Sequence, residues 1–214
     1  MKKKKLMFLG VSLCAAFVLW TCLLRVVDVE SIGPNGSSVG FSRLNGFIHN
    51  ATKTNITLYV VTDWLGLVPI FTALGFAALG LWQWIVRKKL FLVDKSILSL
   101  GILYIAVVAV YIFFELVPIN YRPVLIDGNL EVSYPSSTTM LVMCVMPTAL
   151  MQLRARIKNA ALKVCVSVAI VAFVAFMVIG RFLSGVHWFT DIVGGAIFSA
   201  GAVTVYWAGS YISK

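Results

Sequence analysis

The segment GRFLSGVHWFTD, residues 180–191, carries the residues best suited to chemistry. His187 and Asp191 are four apart, so on a helix they share one face. A carboxylate there holds an imidazole in one tautomer and stabilises its cation, as the third member of a nucleophile–base–orienter set does. Arg181 stands just before them. A second segment, ELVPINYRP at 115–123, is broken by Pro118 and Pro123, which presents Arg122 at a helix end with Glu115 about two turns deeper. A third, YPSSTTM at 134–140, places Ser136, Ser137, Thr138 and Thr139 directly after Pro135. That is a helix N-terminus rich in capping hydroxyls, and its free N–H groups and dipole favour an anion. Two arginines bind phosphate oxygens in pairs. A histidine can attack phosphorus and carry the phosphoryl group until water releases it. The chemistry this set suits is phosphoryl transfer.

The elements that must position these residues are membrane helices. Of 214 residues, 60% are hydrophobic and 12% charged, with a mean hydropathy of +0.95. Soluble domains carry about 45–50% apolar and about 25% charged residues. A disordered chain, a charged nucleic-acid-binding domain and an ordinary cytosolic enzyme are excluded. A bilayer core needs about 20 apolar residues per helix. Uncharged runs of that order occupy 6–24, 64–86, 96–114, 132–153, 164–180 and 192–213. The expected fold is all-α, one domain over 1–214 with six transmembrane helices. Residues 25–63 form an outer loop in this reading, and 115–139 and 180–191 are the active-site segments.

With six spans the termini share a side. Lys2, Lys3, Lys4, Lys5, Arg87, Lys88, Lys89, Lys95, Arg154, Arg156, Lys158, Lys163 and Lys214 then lie on it. By the positive-inside rule that side is cytoplasmic. It accounts for most of the formal charge of +10 without any nucleic acid. The other side holds Arg25, Arg43, Lys53, Arg122 and Arg181, with every acid but Asp94 in or near it. All three reactive segments emerge there, so the expected site is extracytoplasmic, in a multi-pass protein of the cell membrane. The first run follows a lysine cluster and continues through Trp20 to Leu24, which reads as a signal anchor rather than a cleaved signal.

Other features have bland readings. Cys14, Cys22, Cys144 and Cys165 all fall in spans, with no metal spacing or disulfide framework. SIGPNGSS reads as a turn-rich loop, and Phe41 to Tyr59 as an interfacial helix or a lid. Asn50 and Asn55 open glycosylation-type triplets that matter only in a eukaryotic secretory pathway. Pro69 and Pro147 lie inside spans, where kinks are tolerated. Gly195 and Ser199 form a small-xxx-small pair suited to close helix packing. No metal or other cofactor is called for. The partners expected are membrane lipids and one phosphorylated lipid.

In this arrangement the chain resembles the type 2 phosphatidic acid phosphatase superfamily of membrane lipid phosphatases. Its three motifs, K-x6-RP, PSGH and SR-x5-H-x3-D, occur in that order at the outer ends of six helices. Gly180-Arg181, His187 and Asp191 match the third spacing, with Gly for Ser. Arg122-Pro123 match the first, whose lysine position holds Glu115. Pro135-Ser136 match the second, with Ser137-Thr138 in place of Gly-His. The resemblance implies that His187 forms a phosphohistidine, that Asp191 orients it, and that Arg122, Arg181 and Ser136, with Ser137 beside it, bind phosphate. It implies no metal. Thr138 cannot supply the proton that the family's second-motif histidine gives the leaving oxygen, and Glu115 reverses the lysine's charge. The expected substrate is a lipid phosphate or diphosphate; departure of phosphate from a diphosphate needs less protonation than departure of an alkoxide, so a polyprenyl diphosphate such as undecaprenyl diphosphate is favoured. A catalytically silent relative that binds or moves a phosphorylated lipid is the alternative.

Overall fold

The computed structural model describes residues 2–210 and is built from helices. Helix α1 (Lys2–Leu24) leads to a short amphipathic helix, α2 (Ser42–Thr52). Helices α3 (Ile56–Leu65) and α4 (Leu67–Arg87) follow, then α5 (Lys95–Leu116), α6 (Ser137–Arg156), α7 (Ala160–Leu183) and α8 (Phe189–Ser210). Among the described residues six segments are long and apolar enough to cross a membrane, with α3 and α4 together making the second. This agrees with the all-helical six-span expectation. Lys214 and residues 211–213 of the last apolar run lie outside the described residues.

Helices α6 and α8 carry most of the buried positions and form the centre of the bundle. Between apolar helices in lipid, close packing replaces hydrophobic drive, and small residues allow it. Gly195 packs against the Ser136 carbonyl, and the Ser199 hydroxyl donates to the carbonyls of Gly195 (2.7 Å) and Met140 (3.2 Å). The small-xxx-small pair thus serves the α6–α8 contact inside this chain. Helix α1 lies along α8 through Gly10, Cys14 and Gly201, and Phe17 joins Phe114, Tyr134 and Phe198 in the aromatic core. At the far end, Asp94 just ahead of α5 is held by Gln83 (2.9 Å), Arg87 (2.9 Å) and Arg156 (3.7 Å). The Arg87 hydrogen bond holds its carboxyl below the usual range.

Two boundaries differ from the sequence expectation, and both matter for the site. The region 25–63 is not one loop. It contains α2 and most of α3, which starts at Ile56 because Asn55 caps it, its side chain accepting from the Leu58 N–H (2.9 Å). The fourth span starts at Ser137, not at 132. Residues 117–136 form an irregular crossing pinned by bridges between Tyr121 and Val132 and between Ile126 and Asn129. This segment, the start of α3 and the α7–α8 turn gather at one end of the bundle.

Candidate active site

Helix α7 ends at Leu183, and Gly185 takes a φ of +64° to turn the chain. A side chain there would collide with the Lys53 carbonyl, since a Cβ would sit 1.9 Å from its oxygen. Glycine is required by both conformation and approach. The Asn55 N–H donates to the Ser184 carbonyl (2.9 Å) and ties the turn to the start of α3. His187 follows in this turn, two residues before α8 begins. The expectation that His187 and Asp191 share a helical face is therefore corrected. Only Asp191 is helical, in the first turn of α8, where its Oδ2 accepts from the Trp188 N–H (3.0 Å). A carboxylate in the first turn answering the N–H ahead of the helix resembles half of a capping box.

Asp191 is fully buried and has two further donors. Asn120 Nδ2 donates to Oδ1 (2.9 Å), and the Ser133 hydroxyl to Oδ2 (2.5 Å). The His187 imidazole meets Ser133, with Nδ1 3.0 Å from Oγ and 3.2 Å from the carbonyl oxygen. Its Nε2 faces Arg181 Nη2 at 3.4 Å. Burial, with the Arg122 and Arg181 guanidiniums nearby, holds His187 well below the ordinary histidine range, and the Ser133 hydrogen bond opposes this. The ring is neutral at pH 7.

The arginines arrive from different elements. Arg181, in the last turn of α7, is 1% exposed. Its Nη1 lies 3.4 Å from Thr62 Oγ1 and 3.5 Å from Asp63 Oδ1, both on α3. Arg122, on the irregular crossing, pairs through Nε with Glu131 Oε2 at 3.0 Å. Both guanidiniums flank the Tyr59 ring, at 5.0 and 5.6 Å from its centroid. Arg181 Nε and Arg122 Nη1 are buried without a hydrogen-bond partner. Two buried cations with unused donors, set close enough to share one ring, form a place for an anion.

A cavity of about 420 Å³ opens onto His187 and Arg122, bounded also by Glu115, Glu131, Ser133 and Ser137. An apolar groove of about 520 Å³ adjoins it through Tyr111 and Ser137, with Ile70, Val107, Met140 and Leu141 on its wall. Thr138 lines this groove and not the His187 cavity. Ser136 sits at the N-cap of α6, where its hydroxyl accepts from Thr139 (3.0 Å). The first bond within α6 runs from the Met140 N–H to the Ser136 carbonyl (2.9 Å). The N–H groups of residues 137–139 precede it and have no partner within the helix.

The structure thus brings His187, Arg122, Arg181 and Ser137 together, with Asp191 one residue removed through Ser133. Ser136 stands behind them, and Glu115 is on the rim. Sequence reading missed Ser133, Asn120, Glu131, Tyr59, Thr62 and Asp63. The last three had a signal, since positions 59, 62 and 63 share one face once 56–65 is helical. Among the described residues no cluster of three or more metal-ligating side chains occurs.

The family model of the PAP2 superfamily matches residues 113–213. Among solved structures, the chain is similar to one described as the first transmembrane PAP2 type phosphatidylglycerolphosphate phosphatase from Bacillus subtilis. The TM-score is 0.59 over 95% of each chain, at 20% identity. Among curated proteins none matches the chain.

Proposed function

We propose that this chain, whose residues 113–213 match the model of the PAP2 superfamily, is an integral membrane lipid phosphatase of that superfamily with His187 as nucleophile. The observation that carries the reading is the placement of His187 Nε2 against Arg181 in a cavity that Arg122 shares. Phosphate oxygens bind the unused N–H groups of Arg122 and Arg181, and the N–H and hydroxyl of Ser137 complete the cradle, while Ser136, expected to bind phosphate, is buried behind it with its N–H donated to the Asp191 carbonyl (3.1 Å). His187 Nε2 then bonds to phosphorus as the bond from phosphorus to the leaving oxygen breaks, its electron pair going to that oxygen. Water next attacks the phosphohistidine. The N–P pair returns to Nε2, and the water's protons leave on the phosphate. Asp191 stabilises the imidazolium formed in between.

The adjoining apolar groove suits a lipid chain, and its mouth at Tyr111 and Ser137 joins tail to headgroup. A polyprenyl diphosphate, undecaprenyl diphosphate among them, is the favoured substrate. Protonating an alkoxide leaving group is worth about 10²–10⁴-fold, whereas a leaving phosphate needs less help. Thr138 faces the groove and offers no acid at the leaving oxygen. The charge distribution of the sequence supports a site on the extracytoplasmic face of the cell membrane. A second reading, a weak or silent relative that binds or carries a phosphorylated lipid, is favoured by one observation: among the described residues lining the cavity, His187 is the one histidine. Phosphate release by purified protein from prenyl diphosphates and phosphatidic acid, alongside His187→Ala, separates the readings. Release from the diphosphate that vanishes in the variant supports the enzyme. Lipid binding without release from any substrate supports the carrier. Equal or faster turnover of phosphatidic acid would overturn the diphosphate preference.

A further inference from the structure

We propose that Ser133 is a positioning residue through which Asp191 acts on His187, so that the site works as an Asp191–Ser133–His187 chain. This rests on the reading of His187 as nucleophile. The donors and acceptors leave little freedom. The Asp191 carboxylate only accepts, so the Ser133 hydroxyl, 2.5 Å from Oδ2, is the donor. With its hydrogen spent there, Ser133 Oγ presents lone pairs to His187 Nδ1 at 3.0 Å. The Ser133 carbonyl oxygen, 3.2 Å from the same nitrogen, also only accepts. Nδ1 therefore carries the ring hydrogen, and the Nε2 lone pair is left facing Arg181, where a phosphoryl group would enter.

A direct contact between Asp191 and His187 is not made. The carboxylate is held by Asn120, Ser133 and the Trp188 N–H, and the hydroxyl is the link to the ring. Ser133 is itself fixed. It is 2% exposed, and its N–H donates to the Asn120 carbonyl (2.9 Å) while the Asn120 side chain holds Asp191. The two ends of the crossing between α5 and α6 are thus clamped onto the first turn of α8. When Nε2 bonds to phosphorus the ring becomes cationic and keeps its hydrogen on Nδ1. The hydroxyl, already polarised toward Asp191, then accepts a stronger hydrogen bond. No proton leaves the chain, so atoms and charges balance without a further reactant.

The test uses the full-length protein in lipid–detergent micelles with farnesyl diphosphate labelled on the terminal phosphate. Rapid acid-free quenching measures label on His187 in the wild type, Ser133→Ala, Ser133→Thr, Asp191→Asn and Ser133→Ala/Asp191→Asn. Partners that orient metal-bound histidines are worth about 10–100-fold, and Ser133→Ala should slow labelling by a similar factor. KM should change by less than about threefold, because the ground-state phosphate contacts remain. Ser133→Thr, which keeps the hydroxyl, should recover most of the rate. The double variant should be no slower than Asp191→Asn alone, since one chain is broken only once.

The acid limb of kcat/KM supplies a readout that loose packing would not move. The charged groups around His187 are Arg181, Arg122, Glu131, Glu115 and Asp191, with Asp63 and Tyr59 behind Arg181. Removing the hydroxyl weakens only the support Asp191 gives the imidazolium, so the limb should move to lower pH. Wild-type labelling with an unchanged rate and limb in Ser133→Ala overturns the role of Ser133 alone. Multiplying effects in the double variant overturn it as well. Absence of label on His187 in an active wild type overturns the nucleophile reading and this proposal with it.

Discussion

Replacing Gly180 by serine, the residue the third motif ordinarily carries, should damage this protein, and a second change should repair it. Helices α3 and α7 cross at Gly180, where a Cβ would stand 2.7 Å from Thr62 Cγ2 and 3.6 Å from Leu58 Cδ1. Carbon atoms pack best at about 3.5–4.0 Å, so the first contact is about 1 Å too close. Thr62 cannot easily turn away. It is fully buried, and its hydroxyl donates to the carbonyls of Leu58 (2.9 Å) and Tyr59 (3.0 Å) while lying 3.4 Å from Arg181 Nη1. Overpacking of this kind costs about 1–3 kcal/mol. For a chain of this size that corresponds to a fall in Tm of about 2–12 °C. Thr62→Ser removes Cγ2 and keeps the hydroxyl, at a cost near that of one buried methyl, about 1 kcal/mol. With both changes the nearest contact of the added Cβ, once Thr62 Cγ2 is gone, is Leu58 Cδ1 at an ordinary 3.6 Å. The double variant should exceed the sum of the singles by about 1–3 kcal/mol, a coupling of favourable sign. Tryptophan-fluorescence melting in detergent and phosphate release measure stability and the position of Arg181 together. A Gly180→Ser protein with unchanged Tm and turnover, or single-variant costs that simply add in the double variant, would refute the reasoning.

Three further outcomes are expected. Arg181→Lys should lower kcat/KM by about 10²–10³-fold, because one ammonium cannot reach Thr62, Asp63, the phosphate and His187 at once; a loss under about tenfold would show that a simple positive charge suffices. The pH dependence follows from His187, which must be neutral to attack. Burial and the Arg122 and Arg181 guanidiniums hold it well below 6.5, so kcat/KM should stay level as pH falls through 6.5 and drop only at lower pH. An acid limb at or above 6.5 would contradict this. Glu115→Gln should leave diphosphate turnover within about threefold, since a departing phosphate needs little protonation. A larger loss would identify Glu115 as the proton donor.

The long apolar helices were readable because lipid demands uninterrupted apolar runs. The second span was read short because Asp63 ends an uncharged run. Asp63 is carried on α3 because its partner, Arg181, lies on another helix, a pairing between residues far apart in sequence that no run length reveals. The motif spacing located His187, Arg122 and Arg181. It misplaced Asp191 relative to His187, because a spacing of four suggests a shared helical face, whereas Gly185 turns the chain and leaves His187 outside α8. Ser133 and Asn120 lie in an irregular crossing with no hydrophobic period. Their roles come from bonds to His187 and Asp191 across 54 to 71 positions. The Gly180 departure from the family pattern, by contrast, is explained by the approach of Thr62.

The most direct test of the account is the chemical identity of the phosphoenzyme. Wild-type protein is mixed with a prenyl diphosphate labelled on its terminal phosphate, quenched in base during turnover and digested. The account predicts label on the peptide containing His187, stable in base, lost in acid, and absent from His187→Asn, which also ceases to release phosphate. Label on any other residue, or undiminished phosphate release by His187→Asn, would contradict it.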